Sequence, residues 1–274
     1  MLHFMKKNAI LSIVMFFKET VMKQVVTVRN LTIGEGMPKI CVPIIASTEA
    51  EIIAKAEEIM NYEVDMIEWR ADYFEDAYNL SAVASVVAGI RKVIGDMPLL
   101  FTFRSESEGG CKSICSKDYF ALNLAVAMYG EVDLIDLEIY HDLERAKNVI
   151  SMLHEAGIKV VASHHDFDKT PTRSEIMNKL SKMKELDADI LKIAVTPNEI
   201  GDVARLLKIT GRTSINLEKP LITMAMGQMG LVTRISGESF GSDITFGYVG
   251  ESSAPGQLHV EDLKLILETL HKYH

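Results

Sequence analysis

A lysine, Lys192, lies within the apolar run DILKIAV (189–195), whose length and β-branched residues predict a buried strand. Burial disfavours the charged form of lysine, so complete desolvation would leave a neutral amine, which is a nucleophile towards carbonyl groups. Alternatively, the residue lies near a strand end and its ammonium group reaches water or a carboxylate. Taken by itself, this stretch favours the second interpretation.

Two adjacent histidines end another apolar run, KVVASHHDF (159–167). Neighbouring side chains of an extended strand point to opposite faces, so Ser163 and His165 share one face and His164 lies on the other. A histidine at a strand end beside a lysine is a candidate acid–base residue, although a lone histidine is more often structural. A metal site is not favoured, because adjacent side chains diverge and no third ligand motif appears.

Charged residues also occur in two further apolar runs. Glu68 and Arg70, in MIEWRAD, are two residues apart and project to one face, either as a pair that binds hydroxyl groups or as a structural ion pair. Asp136 and Glu138 repeat this spacing in LIDLEIY and need partners inside an apolar strand. Lys192 is a candidate partner for one of them.

The segments after three other runs supply polar groups. Arg104 ends LLFTFRS, and Glu106 and Glu108 follow in a segment that could equally be a flexible loop. Arg234 follows LITMAMG within a predicted loop at 228–240, and ESSAPGQ follows the last run. An arginine with hydroxyl and amide donors suits capture of a substrate carboxylate.

Two methionines, Met224 and Met226, share a face of LITMAMG. They are ordinary core residues or apolar walls that help to keep a nearby amine neutral. The combined set indicates imine chemistry on a small hydroxylated keto acid, in which a lysine holds the carbonyl and a histidine moves the adjacent proton.

Eight apolar runs alternate with amphipathic segments and would position these side chains. They begin at residues 39, 66, 99, 134, 159, 189, 221 and 244. This count predicts a single (β/α)₈ TIM barrel, which places its chemistry at the carboxyl ends of the strands. An open doubly wound sheet is the alternative, but no GxGxxG follows the first strand. VVTVRNLTIGEG (25–36) predicts a β-hairpin closing the bottom of the barrel.

Composition limits the class of protein. The formal net charge of −9 argues against nucleic-acid binding, and three cysteines favour a reducing cytoplasm over a disulfide framework. The apolar stretch near the N-terminus is too short to span a membrane, and no cleavage site follows it. We expect residues 1–21 to lie outside the fold and residues 22–274 to form one catalytic domain.

Several motifs together resemble the type I 3-dehydroquinate dehydratases, over about residues 25–274. These are EWRAD, TFRS with EGG, HDF with TP downstream, LKIAV, MxMG and SSAPGQ, in family order on the predicted strands. Their joint occurrence is far more specific than EWR or LKIA alone. The resemblance implies dehydration of 3-dehydroquinate through a lysine Schiff base, no metal or organic cofactor, and a homodimer.

The resemblance also implies residue roles. Lys192 matches the Schiff-base lysine, His165 the acid–base residue and Glu108 the carboxylate that orients it. His164 stands where the family does not need a histidine and receives a structural interpretation, and Asp136 is expected behind the site. The substrate-binding positions matched are Glu68, Arg70, Arg104, Met224, Met226, Arg234, Ser253 and Gln257.

Two other functions remain open at this point. A class I aldolase shares the barrel and the lysine imine but cleaves a carbon–carbon bond, often on phosphorylated substrates. A non-catalytic protein that binds dehydroquinate would retain the pocket without turnover. The substrate that loses water distinguishes these alternatives.

Overall fold

The computed structural model describes residues 23–252 and 255–274. The predicted N-terminal extension, residues 1–21, and Ser253 lie outside the described residues. Ten strands occur within these two described ranges: β1 (Val26–Val28), β2 (Leu31–Ile33), β3 (Lys39–Ile44), β4 (Met66–Arg70), β5 (Leu99–Thr102), β6 (Leu134–Glu138), β7 (Lys159–Asp166), β8 (Ile190–Val195), β9 (Leu221–Ala225) and β10 (Ile244–Phe246).

The strands β3 to β10 form an eight-stranded parallel sheet in the order β10-β3-β4-β5-β6-β7-β8-β9. At the seam, the Asp243 N–H donates to the Leu221 carbonyl at 2.7 Å, and the Leu221 N–H donates to the Asp243 carboxylate at 2.7 Å. The sheet therefore curls into a nearly closed barrel, and the predicted (β/α)₈ fold is confirmed.

Nine α-helices occur among the described residues. They are α1 (Glu49–Ile59), α2 (Leu80–Ile94), α3 (Ser116–Met128), α4 (Leu143–Glu155), α5 (Arg173–Glu185), α6 (Ile200–Ser214), α7 (Leu231–Ile235), α8 (Gly237–Phe240) and α9 (Val260–His271). Thr48 and Glu51 form a reciprocal capping box at the start of α1. No helix in the described part of the chain is long and apolar enough to cross a bilayer.

Some boundaries differ from the sequence-based prediction. The chain leaves β4 through a 3₁₀ turn at Ala71–Tyr73 and leaves β6 through another at Ile139–His141, so both strands are shorter than their apolar runs. The predicted loop at 228–240 is wrong in detail, because it consists of a 3₁₀ turn (Gln228–Gly230) followed by α7 and α8.

The predicted N-terminal hairpin is also confirmed: β1 and β2 pair antiparallel around Arg29 and Asn30. Val26, Val28 and Ile33 pack against the side chains that fill the lower interior of the barrel, among them Met66, Leu100, Leu134, Val161, Ile190 and Ile222. Because side chains alternate along each strand, the next inward residues lie nearer the carboxyl ends. Those residues are polar or charged, and they include Glu68, Asp136 and Lys192.

Candidate active site

A cavity of about 370 Å³ opens at the carboxyl ends of the barrel strands. Ten of the eleven predicted site residues line it, whereas Ser253 lies outside the described residues. The ten are Glu68, Arg70, Arg104, Glu108, His165, Lys192, Met224, Met226, Arg234 and Gln257. Residues separated by up to 189 positions therefore meet in one place, as barrel geometry requires.

Lys192 lies in the middle of β8 and is only 4% exposed. Its Nζ donates to Asp136 Oδ2 at 2.9 Å and is 3.7 Å from Glu68 Oε1. The predicted pairing of Lys192 with an acidic residue of β6 is thus confirmed. The Phe246 ring, whose centroid is 4.7 Å from Nζ, covers the amine on another side. This aromatic neighbour was not predicted. Phe246 is two residues after Ile244 in β10, so both side chains lie on the inner face of the barrel.

Glu68 and Arg70 both reach the cavity, but the interpretation that they form an ion pair with each other is wrong. Arg70 Nε and Nη2 donate to the two carboxylate oxygens of Asp72, each at 2.8 Å. Glu68 instead accepts a hydrogen bond from the Thr102 hydroxyl at 2.8 Å. The 3₁₀ turn after β4 brings Asp72 back against Arg70, which an extended strand would not allow.

Arg104 lies just beyond β5 and is 3% exposed. Its guanidinium donates to Glu138 at 2.7 Å, to Asp136 at 2.8 Å and to Ser163 at 3.1 Å. Burial acts to lower the pKa of Arg104, but the carboxylates around it outweigh burial and raise the pKa well above its usual value. Arg104 is therefore a fixed cation that organises the acidic residues of β6.

His165 lies near the end of β7, and Glu108 fixes it. The Nδ1 of His165 is 3.0 Å from Glu108 Oε2, and the same oxygen accepts the His165 backbone N–H at 3.0 Å. Burial, with the positive charge of Arg104, lowers the pKa of His165 to about 4, against the opposing effect of Glu108. The imidazole is therefore neutral near pH 7 and able to accept a proton.

The orientation of His165 follows from the charge of Glu108. Burial acts to raise the pKa of Glu108, but hydrogen bonds from His164 and His165 lower it overall. An ionised carboxylate only accepts hydrogen bonds, so His165 carries its proton on Nδ1 and leaves Nε2 as the basic nitrogen.

His164 was expected to be purely structural and on the opposite face from His165. It is indeed not among the described residues that line the cavity. Nevertheless, its Nδ1 is 3.2 Å from Glu108 Oε1. The two histidines diverge from the strand but reach different oxygens of one carboxylate, because Glu108 lies above the strand end on the 3₁₀ turn Glu106–Glu108.

Arg234, on α7, is 2% exposed, and its Nε has no hydrogen-bond partner among the described residues. Its Nη1 lies 4.0 Å from Met224 Sδ. Burial lowers its pKa to about 10. A buried guanidinium without a carboxylate partner is well suited to bind an anion that enters the cavity.

The remaining cavity wall is largely apolar. Met224 and Met226 lie on it as predicted, and sequence reasoning missed Tyr73, Phe167, Pro197 and Met229. These residues lie in turns or beyond strand ends, where side-chain alternation gives no signal. Among residues 23–252 and 255–274, no group of three His, Cys, Asp or Glu side chains is arranged to hold a metal ion.

Comparison with known proteins agrees with this geometry. The family described as type I 3-dehydroquinase matches residues 40–274. A 3-dehydroquinate dehydratase of Alkaliphilus oremlandii is 43% identical over 253 residues, covering 92% of this chain and 99% of the relative. One from Clostridioides difficile is 46% identical over 252 residues, again covering 92% and 99% of the two chains.

Solved structures give the same result. The type I 3-dehydroquinate dehydratase from Clostridium difficile, with covalent modified comenic acid, has a TM-score of 0.90 at 46% identity and covers 92% of this chain and 100% of its own. The 3-dehydroquinate dehydratase of Geobacillus kaustophilus has a TM-score of 0.89 at 36% identity, covering 93% and 99%. The extent and identity of these matches, together with the barrel and its lysine–histidine site, show that the chain belongs to the type I 3-dehydroquinase family.

Proposed function

We propose that this enzyme dehydrates 3-dehydroquinate to 3-dehydroshikimate by syn elimination through an imine on Lys192. The observation that carries the proposal is the shared cavity. The buried amine of Lys192 on β8 and the neutral imidazole of His165 on the adjacent strand β7 both line it. Family membership supports the substrate, and the cavity chemistry supports the mechanism.

Substrate binding follows from the uncompensated charge of Arg234. Its guanidinium would form a charge-assisted pair with the substrate carboxylate, for which no side chain competes among the described residues. Arg70, Glu68 and Gln257 line the same cavity and offer hydrogen bonds to ring hydroxyls.

In the first chemical step, the Lys192 amine attacks the C3 ketone and the carbinolamine loses water, giving an iminium ion. Asp136 Oδ2 accepts a hydrogen bond from Nζ at 2.9 Å and Glu68 Oε1 lies 3.7 Å from it, so the two carboxylates hold the amine in place. Burial acts to raise the pKa of Asp136, but the cations Arg104 and Lys192 lower it overall, so its carboxylate is ionised near the iminium.

The iminium acidifies C2, and His165 Nε2 removes a C2 proton to give an enamine. The enamine electrons then form the C1–C2 double bond as the C1 hydroxyl leaves, and His165 returns its proton so that the leaving group departs as water. A second water hydrolyses the iminium and restores Lys192. The net change is the loss of one water molecule.

Intact-mass spectrometry after incubation with 3-dehydroquinate and sodium borohydride tests the proposal, with peptide mapping of any adduct. We expect an adduct on Lys192, none in Lys192→Ala, and a retained adduct with little turnover in His165→Ala. Lys159→Ala is the matched control, because Lys159 begins β7 at the opposite end of the barrel. Equal trapping in wild type and Lys192→Ala would reject the mechanism.

Product analysis separates the alternatives in the same reaction. Carbon–carbon cleavage would indicate an aldolase, and binding without turnover would indicate a non-catalytic protein.

We further propose that the reaction serves as the third step of the shikimate pathway in the cytoplasm, without a metal or organic cofactor. The proposed unit is a homodimer of single-domain subunits formed by residues 22–274, with residues 1–21 outside the fold.

A further inference from the structure

We infer that His164 is a positioning residue for the dehydration step. It acts through Glu108 to hold the imidazole ring of His165, the proposed base, in its orientation. The inference rests on the proposed function and extends it to a side chain outside the cavity lining. The structure carries it through a chain of contacts in which His164, Glu108 and His165 are consecutive members.

The distribution of donors around Glu108 shows what His164 contributes. Oε2 accepts from the His165 ring at 3.0 Å and the His165 backbone at 3.0 Å, with Arg104 Nη1 at 3.4 Å. For Oε1, the donor that the structure gives among the described residues is His164 Nδ1, at 3.2 Å. His164 therefore fixes the rotation of the carboxylate about its terminal bond.

This restraint matters because Glu108 lies on a turn and not on a strand. The 3₁₀ turn Glu106–Glu108 projects from the loop after β5, whereas both histidines belong to β7. A carboxylate held at one oxygen could rotate and carry the His165 ring with it. With both oxygens held from the same strand, the orientation of His165 Nε2 follows the barrel itself.

The surroundings of His164 hold its own ring in place. Its side chain is 17% exposed and meets the Tyr140 ring edge to face, with centroids 5.4 Å apart. The Tyr140 ring also contacts Lys179, whose Nζ lies 4.2 Å from the ring centroid, and the Tyr140 hydroxyl donates to the Lys179 carbonyl. His164 is thus supported from behind and directed at Glu108.

Three substitutions separate positioning from packing. His164→Phe keeps the aromatic contact with Tyr140 but removes the donor. His164→Asn keeps a donor, because the asparagine Nδ2 is bonded to Cγ as the histidine Nδ1 is, whereas His164→Gln places its amide one bond farther out. His154→Phe is the matched control: His154 also contacts a carboxylate, Asp189, at 2.8 Å, but at the opposite end of the barrel.

Steady-state dehydration of 3-dehydroquinate is the measurement, with borohydride trapping to show an intact imine site. We expect kcat to fall about tenfold in His164→Phe with KM changed less than about threefold, since a bond to a charged acceptor is lost without loss of a substrate contact. His164→Asn should restore most of kcat, His164→Gln less, and His154→Phe should match wild type. Trapping on Lys192 should persist in every variant.

Wild-type kcat in His164→Phe, or equal impairment of the asparagine and phenylalanine variants, would overturn the inference while leaving the proposed function intact. An inactive wild type would instead overturn the proposed function, and the inference with it. If the phenylalanine variant does not fold, the order of the asparagine and glutamine variants decides, and equal kcat values would reject the positioning role.

Discussion

The buried guanidinium of Arg234 differs from those of the other cavity arginines in its pairing. Buried charges are normally paired, because the loss of hydration is otherwise uncompensated. The other cavity arginines follow this rule, Arg70 with Asp72 and Arg104 with Asp136 and Glu138. Arg234 has no such carboxylate among the described residues, which is why it is assigned to the substrate and not to the framework.

Replacement of Arg234 by methionine tests this assignment. We expect the KM for 3-dehydroquinate to rise about ten- to hundredfold, since a charge-assisted pair is lost. The melting temperature should stay the same or rise, because an uncompensated buried charge is removed. Steady-state kinetics and thermal unfolding measure the two effects.

Arg205→Met is the control for Arg234→Met, since Arg205 pairs with Asp202 away from the cavity. Its KM should equal that of wild type. A lowered melting temperature with unchanged KM in Arg234→Met would mean that Arg234 is a structural residue.

Among the elements, the loop after β5 is the one on which the position of His165, the proposed base, depends most. It turns through Gly109 and Gly110, and the Gly110 N–H donates to the Ser105 carbonyl at 2.8 Å. A Cβ on Gly110 would lie 1.8 Å from the Arg104 carbonyl oxygen. The sequence allowed a flexible loop here, but this close backbone approach makes it a compact turn that carries Glu108.

Gly110→Ala should therefore displace Glu108 and lower kcat by at least about tenfold, because small shifts of a catalytic group reduce rates strongly. The measurement is kcat for dehydration together with the melting temperature. Gly211→Ala is the control: its added Cβ would make only ordinary contact, 3.6 Å from Phe240, and it lies within α6. Full activity of Gly110→Ala would show that the turn tolerates the shift.

In the whole molecule, the residues that stabilise the fold and those that line the cavity lie at opposite ends of the barrel axis. The hairpin β1–β2 closes the bottom with apolar side chains, and the polar cavity occupies the top. Substitutions at the bottom should consequently change the free energy of unfolding without changing turnover.

Ile33, which is fully buried in the hairpin, provides the test. Ile33→Ala should lower the free energy of unfolding by about 2–5 kcal/mol through lost burial and a cavity, while kcat/KM of the folded enzyme stays within about twofold of wild type. Urea unfolding and steady-state kinetics are the measurements. The exposed neighbour Thr27, changed to alanine, should affect neither quantity. A drop in kcat/KM in Ile33→Ala would show that the two ends are coupled.

The sequence by itself determined the barrel and most of the site. Side chains alternate along each of the eight runs, so the sequence predicts without knowledge of contacts that Glu68 shares a face with Arg70, and Asp136 with Glu138. In the structure the first pair lines the cavity and the second pair binds Arg104. The motifs then identified the family. Local spacing is sufficient here because a parallel barrel converts position along a strand directly into height above the bottom of the barrel.

Only the tertiary structure decided which charges meet. Arg70 pairs with Asp72 because a 3₁₀ turn follows β4, and His164 meets Glu108, 56 residues away, because a turn projects over the end of β7. The absence of a carboxylate partner for Arg234 among the described residues is equally invisible in sequence. Such contacts depend on the directions in which turns leave the strands, which side-chain alternation does not specify, and they set the electrostatics of the site.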